Sequence, residues 1–108
     1  MRELDQAPFG IIGLETSLPV VITKLVRPGI LDWSAVAEKM SLNPATILGI
    51  PKGTLAIGSD ADVTVVDPDA KWTVAANDFH SKSRNSPYIG WELFGRASAV
   101  FVGGVRRV

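Results

Sequence analysis

Cysteine is absent from this sequence. That excludes a disulfide framework and a thiolate-held metal, and it is compatible with a cytoplasmic location. Histidine occurs once, at His80, whereas a protein metal site needs three or four ligands at recognisable spacings. Neither sign of charge prevails, because eleven Lys and Arg balance eleven Asp and Glu. No net field would steer the chain to nucleic acid or to a membrane, so neither partner is expected. No apolar run approaches the ~20 residues of a membrane helix, and the polar start Met1-Arg2-Glu3 is no signal peptide. A phosphate loop, a nucleophile elbow and a glycine-rich dinucleotide motif are missing too. On motif chemistry alone the chain is not an enzyme.

What is present is globular: 46% apolar and 20% charged residues over 108 positions. A chain of that size fits one domain and buries roughly 65% of its unfolded surface. The hydrophobic period changes once along it. Leu14, Leu18, Val21, Ile22 and Leu25 fall at helical spacing, with Glu15 and Thr16 as acidic and capping signals. Pro19 is tolerated only in a first turn, so this helix should start near Ser17 and end before Pro28-Gly29. Asp32 is a good N-cap for a second helix with Trp33, Val36, Ala37 and Met40 inward. Asn43-Pro44 repeats the start signal and Gly49 supplies a stop, predicting two short helices at an angle.

The organising stretch is Lys52 to Asp67, where helix gives way to strand. Thr54-Leu55-Ala56 and Val63 to Val66 read as strands joined by a turn at Gly58-Ser59-Asp60, the second closed off by Asp67-Pro68-Asp69. Further short strands are expected at Trp72 to Val74, Trp91 to Phe94 and Ala97 to Val102. Gly103-Gly104 predicts a two-residue hairpin returning into Val105 to Val108. Residues 75–90 read as a long surface loop, a length that is uncommon unless the loop covers or does something. Strands with apolar residues on both faces, such as Val63, Val65 and Val66 or Val100, Phe101 and Val102, need cover on both sides. The expected class is therefore α+β, and the chain reads as part of something larger.

Candidate sites are few. His80 reads as a solvated loop histidine. Asp60, Asp62, Asp67 and Asp69 do not match an EF-hand and read as turn formers. Lys82, Arg84, Arg96, Arg106 and Arg107 read as solubilising charges. The Ala7-Pro8-Phe9-Gly10 loop is the one place where backbone groups could be offered to a ligand, because glycine admits a close approach.

Four stretches together resemble the C-terminal part of dihydroorotases of the long-chain type, in the amidohydrolase superfamily. They are Ala7 to Thr16, Asn43-Pro44-Ala45 with Ile47-Leu48-Gly49, Lys52 to Pro68, and Ser81 to Tyr88 with Gly90-Trp91. The likeness runs from about Leu4 to the last residue. The second and third stretches are similar to hydantoinases and allantoinases as well, while the first and fourth resemble dihydroorotases more specifically.

The resemblance implies a (β/α)8 barrel with a small β-sandwich built from both termini. Residues 1–50 would be the end of the barrel, its substrate loop and closing helices, and residues 51–108 the C-terminal share of the sandwich. It implies a hydrolase of pyrimidine biosynthesis that interconverts dihydroorotate and N-carbamoyl-aspartate at a binuclear zinc centre. The zinc ligands and the aspartate of an Asp-His-Ala-Pro-His motif would precede Met1, and the opening residues look like internal family sequence. No catalytic or metal residue is therefore expected here, and no cofactor in the chain itself. Phe9 and Gly10 match the backbone positions that contribute to substrate binding. The chain alone is expected to be inactive and to self-associate through uncovered apolar surface. The alternatives are a non-catalytic dihydroorotase-like assembly module, or a piece of an allantoinase or hydantoinase.

Overall fold

A computed structural model describes residues 3–108, so the Met1-Arg2 start lies outside the described residues. It is an α+β arrangement of two helical runs followed by a small antiparallel sheet. The first run is α1 (Ser17–Val21), which continues as a wider turn over Ile22–Val26. The second is α2 (Trp33–Ala37), a wide-wound stretch Glu38–Leu42, and α3 (Asn43–Leu48). The sheet has the order β1 (Val63–Thr73), β2 (Glu92–Val102), β3 (Val105–Arg106).

Helix α1 begins where Pro19 requires, at Ser17. Thr16 occupies the N-cap position, but its hydroxyl caps nothing and lies 3.4 Å from the Gly13 carbonyl instead. The wide turn has a local cause. Thr23 Oγ1 donates to the Pro19 carbonyl at 2.8 Å, taking the acceptor that an α-helical ladder would give to its own amide. The Arg27 amide then reaches back five residues to Ile22 at 2.9 Å. The same Thr23 hydroxyl accepts from the Phe94 amide at 2.9 Å, pinning the helix to β2. Arg27 and Lys24 lie over the Phe94 and Trp91 rings, at 3.7 and 5.1 Å from the centroids.

Asp32 caps α2 as expected, its carboxylate accepting from the Ala35 amide at 2.8 Å. Asn43 does not start a new helix. Both Leu42 and Asn43 are already helical, and the Asn43 amide bonds back to Glu38. The expectation of two helices at an angle is corrected to one continuous run. Its wide-wound middle accommodates Pro44, whose ring and missing N–H disturb an α-helical interior. Gly49 ends the run with φ 67°. Its amide and that of Ile50 close on Thr46 and Ala45, at 3.1 and 3.0 Å, a pairing that satisfies the last carbonyls.

The sheet departs from the expected short strands. Thr54-Leu55-Ala56 is not a strand; its Thr54 hydroxyl accepts from the Ala56 amide at 3.1 Å in a local turn. Strand β1 does not stop at Asp67-Pro68-Asp69. Asp67 pairs with Arg96 and Lys71 with Phe94, so three residues bulge opposite Gly95. Proline donates no ladder bond, and a bulge is where a strand tolerates it. Gly103-Gly104 forms the hairpin turn, with φ 57° and 79°.

Two cores result. Val74, Phe79 and Leu93 are buried, with Ile12, Val20, Trp72 and Tyr88 packed on them. Ile22 is fully buried over Gly95. Elsewhere the cover is thin. A groove of about 740 Å³ separates Trp33, Val36 and Met40 from Val63, Val66 and Val100. Leu14, Leu55 and Ile57 are nearly fully exposed. The accessible surface is 7984 Å² for 11.5 kDa, against about 5,800 Å² for an ordinary folded monomer of that mass. The radius of gyration, 16.0 Å, likewise exceeds the ~13 Å of a compact domain. These dimensions go with apolar faces that stay uncovered.

Candidate functional site

The segment before α1 and the loop before β2 are 65 to 75 residues apart in sequence and meet in space. Glu15 is the first link. Its carboxylate accepts from the His80 amide at 3.0 Å, the Ser81 amide at 3.1 Å and the Ser81 hydroxyl at 2.9 Å. The His80 amide bond holds the Glu15 carboxyl below its ordinary value, opposed by partial burial and helped by the two Ser81 bonds. Glu15 therefore acts as a loop anchor rather than a helix-start charge.

Asn85 is the second link, and it works on both sides of Ile11. Its side-chain amide donates to the Gly10 carbonyl. Its own carbonyl accepts from the Ile12 amide at 2.9 Å. The Ser83 hydroxyl accepts from the Asn85 amide at 3.2 Å, and Arg84 Nη1 donates to the Ser81 and Ser83 carbonyls, so the loop is tied to itself. Beyond it, Tyr88 and Trp91 meet edge-on at 5.1 Å and seat the loop's far end.

Phe9 and Gly10 sit at the open end of this assembly. Phe9 is fully exposed, and a side chain built at Gly10 would meet nothing within 4 Å. The backbone here is presented outward and held from behind. An open cavity of about 640 Å³ lies beside Glu15 and His80, floored by Leu18, Phe79 and Trp72 with Arg96 at its edge.

Other sequence candidates find partners of their own. Lys52 Nζ lies 2.6 Å from both Asp60 and Asp62, which clips the turn that Gly58 to Asp60 makes. Those bonds, Asp60 first, raise the Lys52 pKa; Lys52, then the Gly103 amide, lowers that of Asp62. Asp67 accepts from the Asp69 amide at 3.0 Å inside the bulge. Arg96 stacks 4.3 Å over Trp72 and so serves packing as well as solubility, while Arg106 makes an exposed local bond to the Val108 carbonyl at 2.9 Å. Among the described residues no three His, Cys, Asp or Glu side chains gather to hold a metal ion. No described helix is long and apolar enough to cross a membrane.

Sequence reasoning singled out the Phe9-Gly10 loop and the Ser81 to Tyr88 stretch separately. It missed that Glu15 and Asn85 join them. The available signal was weak: a glutamate beside a helix start, and an asparagine in a loop rich in donors.

The Glu15 anchor has a pH signature. Its pKa is lowered on folding, so its contribution is present above the unfolded value of 4.5 and is lost as pH falls through the folded one. The His80 and Ser81 amide resonances should therefore titrate together with a midpoint below 4.5, and Glu15→Gln should abolish that titration. A midpoint at or above the ordinary value would remove Glu15 from this role.

The chain is similar to known proteins over nearly its whole length. The model of the amidohydrolase family matches residues 11–106. The dihydroorotase of Geobacter metallireducens is 52% identical over 102 residues, covering 94% of this chain. That of Pelotomaculum thermopropionicum is 51% identical over the same length. The match takes in 24% of each relative, so the chain spans about a quarter of their length. Among solved structures, an L-hydantoinase (dihydropyrimidinase) from Arthrobacter aurescens superposes with a TM-score of 0.87 at 38% identity, covering 93% of this chain and 23% of that one. A D-hydantoinase from Thermus sp. superposes at 0.85 with 34% identity, over 94% and 22%.

Proposed function

This chain belongs to the amidohydrolase family, and we propose that it is the C-terminal quarter of a dihydroorotase. The carrying observation is the identity of about half over 94% of the chain to dihydroorotases, above the 38% and 34% to the hydantoinases. The contact between the 10–15 segment and the 80–85 loop is in keeping with it, because the sequence resemblance ties both stretches to dihydroorotases more specifically than to hydantoinases. The reaction is the reversible hydrolysis of dihydroorotate to N-carbamoyl-aspartate in cytoplasmic pyrimidine synthesis.

In this reading residues 1–50 close the catalytic barrel and residues 51–108 give strands to a small sandwich. The groove between α2 and the sheet, and the excess accessible surface, support a chain that continues elsewhere. The binuclear zinc and its ligands would lie on a part of the enzyme outside these residues. What this chain brings to the site is backbone at Phe9 and Gly10, which hydrogen-bonds the substrate without a titrating side chain.

One purification tests these points together. The 108-residue chain should show no dihydroorotate turnover, retain no stoichiometric zinc after dialysis, and self-associate in light scattering. The full-length enzyme should hydrolyse dihydroorotate. Equimolar zinc on the isolated chain, or a monomer at high concentration, would overturn the corresponding part. The hydantoinase superpositions support a second reading, a hydantoin hydrolase, with an allantoin hydrolase the related alternative from the sequence resemblance. It prevails if the full-length enzyme acts on those substrates and not on dihydroorotate.

A further inference from the structure

We infer that Asn85 is a positioning residue for the substrate, acting through the Phe9-Gly10 backbone; the inference rests on the dihydroorotase reading above. Asn85 grips the chain at two successive points. Its side chain donates to the Gly10 carbonyl, and its main-chain carbonyl accepts from the Ile12 amide. Together these two bonds fix the peptide planes on either side of Ile11. Gly10 needs such a brace, because glycine has the widest choice of backbone angles and no side chain of its own to pack. A Cβ at that position would meet nothing within 4 Å, so no packing does the same work.

The brace is itself braced. Ser83 Oγ accepts from the Asn85 amide, and Glu15 holds His80 and Ser81 at the other end of the loop. A substrate bonded to the Phe9-Gly10 backbone would find it already in place, and avoids the ordering cost of a free loop. Asn85 touches no reacting atom in this scheme. Its loss should weaken binding of substrate and transition state alike, which appears in KM rather than kcat.

The test is Asn85→Asp in the full-length enzyme carrying this sequence. The change keeps size and the main-chain bond to Ile12 but replaces the donor with an acceptor facing the Gly10 carbonyl. KM for dihydroorotate should rise about tenfold while kcat stays within about twofold. The melting temperature should stay within a few degrees. The KM ratio to the unsubstituted enzyme should shrink as pH falls toward the carboxyl pKa, where a protonated acid again donates. Asn85→Ala should show the KM rise without that pH dependence. Equal losses in kcat and kcat/KM, an unchanged KM, or a loss explained by unfolding would overturn the inference. If the unsubstituted full-length enzyme lacks dihydroorotase activity, the functional reading fails first and takes the inference with it. An active enzyme with an indifferent Asn85 leaves the reading intact and sinks only the inference.

Discussion

Gly95→Ala is expected to destabilise the chain by about 2–4 kcal/mol, lowering the melting temperature by roughly 10–25 °C for a chain of this size. Two costs add. Gly95 has φ +88°, a conformation that an L side chain adopts only under strain. A Cβ there would also lie 2.5 Å from Ile22 Cδ1, 3.0 Å from Cγ2 and 3.3 Å from Cβ. The Cδ1 tip could swing away in open space, but Ile22 is 0% exposed and has nowhere to go. Gly95 is thus the seat on which the wide turn after α1 rests. The Asp67–Lys71 bulge lies opposite it, and its carbonyl accepts from Trp72 Nε1 at 3.0 Å. The double variant with Ile22→Val separates the two costs. It removes the Cδ1 contact, so it should lose about 1 kcal/mol less than the sum of the single changes. Strict additivity would assign the whole effect to backbone strain. A Gly95→Ala protein within about 0.5 kcal/mol of the parent would refute both costs.

Gly95 also shows where sequence reasoning stops. Local signals were legible because they act within a few residues: Pro19 limits the start of α1, Asp32 caps α2, Gly49 closes α3, and Gly103-Gly104 makes the hairpin. Asp67-Pro68-Asp69 carries an equally clear local signal for a strand end, yet the strand continues. The deciding partner, Gly95, is a residue 27 positions beyond Pro68 whose role depends on a helix packed above it. Asn43-Pro44 fails for a related reason. The cap and proline pattern is real, but the preceding five residues were already wound wide enough to absorb the proline. At the candidate site the same division holds. The residue types of Phe9-Gly10 and of the Ser81 to Tyr88 stretch were legible one at a time. The hydrogen bonds that join them span 65 to 75 residues and follow from no local period.

Leu93→Ala tests whether the small core and the candidate site are one unit. Leu93 is 0% exposed and packs with Val74 and Phe79. Truncating it forfeits the transfer of three carbons and leaves a cavity, for a cost of about 2–5 kcal/mol. The surrounding side chains cannot easily close that cavity. Trp72 is tied to Gly95 by its indole, and Tyr88 is held edge-on against Trp91. Ile12 packs on the same cluster, and its amide is one of the two points that Asn85 grips. The hole should therefore loosen the 10–12 segment as well as the sheet, and amide exchange at Ile12 should quicken with that of Val74. Leu93→Met, close in volume, should cost under about 1.5 kcal/mol. Val65→Ala on the half-open face of β1 should cost less than Leu93→Ala, since Val65 is already 45% exposed. Should Ile12 keep its protection while Val74 loses it, the 10–12 segment would be held by its hydrogen bonds to Asn85 alone. The core would then have no part in shaping the site.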